Sequence, residues 1–291
     1  MSAGYAIKPE KAKPKSFSLT VVILLLVGYF LLPLIWLLIA STKSNADLFT
    51  TFGFAFGDFN LWQNIMDVVG YDNGRFLTWA RNSLFYSGSA AFGATMLATA
   101  AGYALAKYDF PGKKFMFASV LAAVMVPTTA LAIPTYFLFA QVGLTNTPWA
   151  VILPSMISPF GLYLMRVYAQ QAVPTELIEA GRIDGASDLR VFFSLGLRLL
   201  VPGAVTVFLF TLVATWNNYL LPLIMLNSPD LFPLTVGLAQ WQSAAAGGTT
   251  GESLFSIVIT GSMLSVMPLI AIFLYLQRFW QSGLGVGGVK G

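Results

Sequence analysis

The sequence predicts an all-α integral membrane protein of six transmembrane helices, and three observations carry that expectation. Hydrophobic residues make up 57% of the chain and charged ones only 10%, against about 25% charged in soluble domains. Six apolar runs without an interior charge occur at about 17–40, 82–106, 115–140, 148–165, 200–226 and 253–277, each long enough to cross a hydrocarbon core of about 30 Å. The basic residues are also unevenly divided between the two sets of loops that six crossings create.

Residues 1–16 form a polar tail carrying Lys8, Lys11, Lys13 and Lys15, and the domain proper is expected to run from 17 to 291. A cleaved leader also begins with lysines, but its apolar region spans about 7–15 residues and ends in a small-x-small pattern. The run from Phe17 to Ala40 is longer and lacks that ending, so it reads as the first span. Residues 45–77, with Phe49, Phe52, Phe54, Phe56, Phe59 and Trp62, read as an interfacial segment, because aromatic rings favour headgroup depth. In the second span Ala90, Ala94, Ala98, Gly102 and Ala106 repeat at i, i+4. Such a stripe lets helix backbones approach closely, either inside one bundle or along a pore.

Asp109-Phe110-Pro111-Gly112 signals a turn, as do Gly143 to Pro148 and Asn227-Ser228-Pro229-Asp230. Pro127 and Pro134 lie inside the third span, where each removes a helical hydrogen bond and favours a kink. Between the fourth and fifth spans lies a loop over 169–199, and eight of the 28 charged residues fall between Arg166 and Arg198. Pro174 suits a helix start, Glu176 and Glu179 suit the positive end of its dipole, and Gly185 suits the turn that ends it. The apolar positions Leu177, Ala180, Ile183 and Ala186 fall at i, i+3 spacing. A short amphipathic helix outside the bilayer is expected there.

With six crossings, the N-terminal tail, the 107–114 loop, the 166–199 loop and the C-terminus share one side. That side holds 13 of the 16 basic residues, leaving Lys43, Arg75 and Arg81 on the other. Cytoplasmic loops accumulate Lys and Arg, so both termini are expected in the cytoplasm.

Several chemistries are excluded. The chain has no Cys and no His, which removes thiolate nucleophiles, imidazole bases and the commonest zinc ligands. No catalytic residue, metal site or bound cofactor is expected. A net charge of +4 is too small to argue for nucleic acid. No ionisable group lies at a span centre, where ion-coupled carriers often place one.

The segment Glu179-Ala180-Gly181-x3-Gly185, followed nine residues later by Leu195-Gly196-Leu197-Arg198, resembles the cytoplasmic loop of the permease subunits of type I ATP-binding-cassette importers, E-A-A-x-x-x-G-x9-I-x-L-P. Gly181 replaces the second alanine, and Arg198 stands in place of proline, with Pro202 four residues on. The resemblance extends to Gly102-Tyr-Ala-Leu-Ala-Lys with Phe110-Pro-Gly-Lys-Lys, to Val126-Pro127 and Ile133-Pro134, to Gly143-Leu-Thr-Asn-Thr, to Trp216-Asn217 and to the glycine-rich C-terminus. It is nearest to the shorter permease of maltose-type carbohydrate importers.

The resemblance implies a coupling helix within 174–198, with Glu179, Ala180, Gly181, Asp184 and Gly185 docking on a separate ATPase. Glu179 fits a contact with a basic partner residue or simple dipole complementation, and Gly185 an elbow or a contact. The chain has no G-x-x-x-x-G-K-[ST] loop, so ATP and Mg would be held by that partner. The implied assembly is two homologous permeases, two ATPases and an extracytoplasmic binding protein, in the lipid bilayer of a prokaryotic inner membrane, importing a sugar or oligosaccharide. Trp216, Asn217 and Asn218, with Thr128 and Tyr136, offer flat faces and amides suited to a neutral hydroxylated cargo; interhelical hydrogen bonding is the alternative use. Gln240, Trp241 and Gln242, in an outer loop over 227–252 that turns small and flexible after residue 244, are the expected contact with the binding protein, or else a plain connector. Alternatives are a permease of the same class for another polar solute, an ion-coupled secondary carrier working alone, and a membrane scaffold.

Overall fold

Proline and turn residues decide where the helices of this chain stop, and apolar runs decide how far they go. The computed structural model describes residues 17–247 and 254–284, with side chains to 279; the N-terminal tail, residues 248–253 and the end of the glycine-rich C-terminus lie outside the described residues. No strand occurs among the described residues.

The first span is one helix, α1 (Phe17–Ser41). After it, α2 (Asn45–Thr50) and α3 (Leu61–Gly70) cross one end of the molecule, joined by an aromatic turn. Ser44 caps α2 by accepting the Asp47 N–H at 3.1 Å. Phe49, Phe52, Phe56, Phe59 and Trp62 are largely exposed, as an interfacial segment requires. The buried Lys43 pins that turn, donating from Nζ to Thr51 Oγ1 and to the Phe52 carbonyl, both at 2.9 Å. Asp72, Asn73 and Gly74 then take φ of 49°, 57° and 78°, a left-handed reversal that these three residue types tolerate best.

The reversal launches α4 (Arg75–Lys107), which starts at Arg75 rather than near residue 82. Its 33 residues reach about 50 Å, so its first turns project beyond a hydrocarbon core. After the expected Pro111-Gly112 turn come α5 (Lys113–Val124) and α6 (Ala132–Gln141). The expected third span, 115–140, is therefore two short helices. Pro127 has no N–H to continue the helix, and residues 127–132 close instead with i to i+3 bonds such as Ala130 N to the Pro127 carbonyl at 3.0 Å.

The fourth span is also built in two pieces, α7 (Trp149–Ser155) and α8 (Pro159–Ala172), with Ser158 capping the second by accepting the Gly161 N–H at 3.1 Å. Then follow α9 (Thr175–Ile183), α10 (Asp188–Val191), a π-helical segment Phe192–Gly196, and α11 (Leu197–Trp216). The chain passes through Arg198 without a break. The fifth span stops at Trp216, three residues open out, and α12 (Leu220–Met225) resumes. The 229–231 turn leads into α13 (Leu234–Ala246), and α14 (Leu254–Leu284) ends the described chain.

Among the described residues, five helical stretches are long and apolar enough to cross a membrane: Phe17–Ser41, Leu61–Lys107, Trp149–Ala172, Asp188–Trp216 and Leu254–Phe279. The count of such stretches among the described residues is therefore five, and the expected run 115–140 enters as the two shorter helices α5 and α6. The core has two centres. One, at the end bearing α3 and α13, gathers Trp79, Tyr86, Trp216 and Trp241; the other, at the end bearing α9, gathers Tyr103, Met165, Ile178, Val191 and Leu200. Between them Ala90, Ala94, Ala98 and Gly102 are buried where α4 packs on α8 and α11, so the small-residue stripe serves the bundle interior. Nearly all of α1 is exposed and α5 has no buried residue; apolar faces of that size belong against lipid or another chain.

Candidate functional site

The loop singled out by its charge is a helix and an elbow. Glu176 stands in the first turn of α9 and Arg182 in the last, each on the side its dipole favours. At the far end the Ala186 N–H donates to the Gly181 carbonyl at 2.9 Å and the Gly185 N–H to the Arg182 carbonyl at 3.0 Å. These are the two bonds of a Schellman stop, which needs a left-handed residue between them; Gly185 supplies it at φ 78°. Ser187 Oγ then accepts the Arg190 N–H at 3.4 Å to start α10. Arg182 Nε ties the two helices across the elbow through Asp188 Oδ1 at 2.9 Å, and that carboxylate holds the guanidinium above its ordinary pKa.

The amphipathic face differs from the expected one. Ile178 and Gly181 turn inward, at i, i+3, while Ala180 and Ile183 face out with Glu176, Glu179 and Asp184. Ile183 is 86% exposed and Leu189 71%. Gly181, the departure from the alanine pattern, has a local cause: a methyl there would stand 2.9 Å from Val191 Cγ2. Glycine lets α9 lie against α10 inside the chain's own core. Ile178 and Val191 join Tyr103, Met165, Ala169 and Phe192 in one cluster, so α9 is fastened to α4, α8 and the foot of α11. What it leaves free is a small apolar tip ringed by carboxylates.

The candidates for a polar passage separate. Trp216 is buried in the other core centre, and Tyr136 packs partly buried against the same cluster. Asn217 is exposed at the opening between α11 and α12, and its side chain makes no hydrogen bond among the described residues. Asn218 is partly used: its side-chain oxygen accepts the Leu221 N–H at 3.3 Å and its carbonyl accepts Thr235 Oγ1 at 2.8 Å. Thr128 lies exposed on the α5–α6 turn. The two polar openings belong to neighbouring segments, since α6 packs on α12.

Much of the expected outer loop is helical, while residues 248–252 of the stretch expected to be flexible lie outside the described residues. Residues 234–246 form α13, and Trp241, expected at a partner surface, is 5% exposed. Its ring lies 4.7 Å from that of Trp79 and 5.1 Å from that of Tyr71, so it anchors the helix, while Gln240 and Gln242 on either side face out. A row of side chains on α4, missed from sequence, fixes the turn before it. Trp79 Nε1 donates to the Pro229 carbonyl at 2.9 Å, Asn82 Nδ2 to the Asp230 and Phe232 carbonyls at 2.7 and 3.1 Å, and Tyr86 OH to the Leu231 carbonyl at 2.8 Å. Ser83 Oγ accepts the Leu234 N–H at 2.8 Å. Asn146 holds the other side, accepting the Asn227 and Ser228 N–H groups at 2.9 and 3.0 Å. The available signal was the i, i+3, i+4, i+7 run of polar-tipped residues 79, 82, 83 and 86. No group of three or more acids that could hold a metal occurs among the described residues.

Residues 98–284 match the family model described as a binding-protein-dependent transport system inner membrane component. The chain is 33% identical over 260 residues to the arabinooligosaccharides transport system permease protein AraQ of Halalkalibacterium halodurans, covering 89% of this chain and 91% of that one. It is 31% identical over 282 residues to the Bacillus subtilis protein of the same name, covering 94% and 95%. The lactose transport system permease protein LacG of Rhizobium radiobacter is 29% identical over 261 residues, covering 89% and 90%. A solved chain of a bacterial transporter that imports the acidic polysaccharide alginate has the same fold, with a TM-score of 0.77, 22% identity and coverage of 94% of this chain and all of that one.

Proposed function

The chain belongs to the family of inner membrane components of binding-protein-dependent transport systems, and from that premise we propose that it is one permease subunit of an ATP-binding-cassette importer for a sugar or oligosaccharide. It supplies the path and the lever, and no catalysis. A second homologous permease, two ATPases that hold ATP and Mg, and an extracytoplasmic binding protein complete the machine. Alternative cargoes are other neutral polar solutes.

The observation that carries this reading is α9: a short helix built into the chain's core on one face, with Glu179, Ile183 and the following Asp184 exposed on the other, beside the exposed Leu189 of α10. Glu179, Ala180, Asp184 and Gly185 belong to the docking element, while Gly181 acts from behind it by permitting the α9–α10 contact. A lever must transmit force to the spans, and α9 packs on α10 and shares through Ile178 the apolar cluster that α4, α8 and α11 build. In this reading α5 and α6 together make the sixth crossing, which leaves both termini and 13 of the 16 basic residues in the cytoplasm. Residues 1–16 are a cytoplasmic tail and 17–291 the permease domain. Asn217, Asn218, Thr128 and Tyr136 face the passage at the breaks in the third and fifth spans, with Trp216 buried behind them. Gln240 and Gln242 meet the binding protein, presented by the buried Trp241.

Reconstituted vesicles containing the complete transporter test this. ATP-dependent uptake of radiolabelled lactose, maltotriose or arabinotriose is expected, requiring the binding protein. Uptake that persists without the ATPase under an ion gradient would replace it with the secondary-carrier reading.

A further inference from the structure

The end of the molecule bearing α2 and α3 carries a cleft of about 580 Å³ between the Ser44–Asn45 corner, one face of α3, Tyr71 and the first turn of α14. That volume lies within the roughly 300–1,000 Å³ of small-molecule sites. Its lining is amide-rich, with Asn45, Asn60, Gln63 and Asn64, has one carboxylate in Asp67, and has no basic residue. Lys43, the nearest lysine in sequence, sends its Nζ to Thr51 and Phe52 instead.

The hydrogen-bond pattern leaves this cleft rich in acceptors. Asn64 spends both N–H bonds on the Ser41 and Lys43 carbonyls at 2.9 and 2.8 Å, a structural duty at the end of α1. Asn60 Nδ2 donates to the Asp58 carbonyl at 2.9 Å and Gln63 Nε2 to Asp67 Oδ1 at 2.8 Å. Asn45 shapes the corner of the cleft, but its Oδ1 is closed off from solvent and has no hydrogen-bond partner, so the acceptors open to a ligand are those on α3. Beside these acceptors stands the Tyr71 ring, held edge-on against Trp241 at 5.1 Å. A ligand that fits is neutral, carries several hydroxyl donors and has a flat apolar face to lay on an aromatic ring.

We infer that this cleft is a carbohydrate subsite at the outer mouth of the permease, in which Gln63 and Asp67 accept hydroxyl hydrogens and Tyr71 receives the sugar ring. It rests on the transport reading above and adds a place where cargo pauses, next to α13 and separate from the openings at Asn217 and Thr128. Trp241 links the two outer elements, since its ring touches Tyr71 of the cleft and belongs to the helix that carries Gln240 and Gln242.

The chain contains no cysteine, so a single introduced thiol reports cleanly. In the assembled transporter without its binding protein, a cysteine at Met66, which lines the cleft and is exposed but is given no role in holding the sugar, is labelled as Met66→Cys with a membrane-impermeant maleimide in the presence and absence of whichever of lactose, maltotriose and arabinotriose is taken up. The sugar is expected to slow labelling of Met66→Cys at least threefold and to leave labelling of the exposed control Trp62→Cys unchanged. Adding Gln63→Ala or Tyr71→Ala is expected to raise the half-protecting concentration at least fivefold. Uptake of the sugar with unchanged labelling of Met66→Cys overturns the cleft and leaves the transport reading in place. Protection seen only with the binding protein overturns it too, because a protein then covers the cleft. Absence of uptake of all three sugars removes both readings.

Discussion

Gly181→Ala sets two effects of similar size against each other at the junction of α9 and α10. Alanine gains about 0.8–1 kcal/mol of helix propensity over glycine. Its methyl would stand 2.9 Å from Val191 Cγ2, where carbon atoms settle at about 3.5–4.0 Å, and Val191 is 1% exposed and β-branched, so it has little rotameric freedom to retreat. Overpacking of this kind costs about 1–3 kcal/mol. The net expectation is a loss of about 1 kcal/mol at the α9–α10 junction. The Ala186 N–H, bonded to the Gly181 carbonyl, reports it by hydrogen exchange in the assembled transporter, as an increase of about fivefold. Val191→Ala alone removes buried methyl groups and loosens the junction by about 1–2 kcal/mol. In the double variant the new methyl fills part of the space left by the valine, so the two losses add to less than their sum by about 1 kcal/mol or more. Slower exchange in Gly181→Ala, with simple additivity in the pair, would refute the claim that packing rather than partner docking accounts for this glycine.

Three further changes probe the rest of the frame. Gly185→Val forces a β-branched residue to φ 78°, at a cost of at least about 1–2 kcal/mol; sugar-stimulated ATP hydrolysis is expected to fall while the complex still assembles, and Gly185→Asn to lose less. Gly102→Val meets backbone as well as side chain, with Met165 Cβ at 2.7 Å and Arg166 N at 2.8 Å, so α4 and α8 must part and the yield of assembled transporter in size-exclusion chromatography should collapse. Asn82→Ala leaves the Asp230 and Phe232 carbonyls without their donor; a loss of about 1–3 kcal/mol is expected, read as faster hydrogen exchange over residues 229–237 and a lower unfolding temperature.

The elements written by uninterrupted apolar runs were legible, as were the turns at Pro111-Gly112, Gly143 to Pro148 and Pro229. The breaks within spans were not. Pro127 announced a kink, but whether a proline bends a helix or ends it depends on what the neighbours do with the freed carbonyls, and the 127–132 turns satisfy them locally. In α9 the helix and its glycine stop were readable because capping chemistry is local. Which face turned inward was not, since Ile178 and Ile183 are equally apolar and only the position of Val191 and Met165 chooses between them. Trp241 shows the same limit: two glutamines beside a tryptophan suggest a surface, yet the ring finds Trp79 and Phe76 more than 160 residues away in sequence. The polar row Trp79 to Tyr86 was visible as a pattern, but its partners are backbone carbonyls and one backbone N–H, which carry no sequence signal.

The lever itself is tested most directly at its tip. Ile183→Cys gives the chain a sole cysteine, which is coupled to a benzophenone maleimide in the assembled transporter and irradiated. If α9 docks as a lever, an adduct with the ATPase subunit forms. Retention of the ATPase in the complex with no adduct to it, or adducts only with lipid or the second permease, would contradict that role.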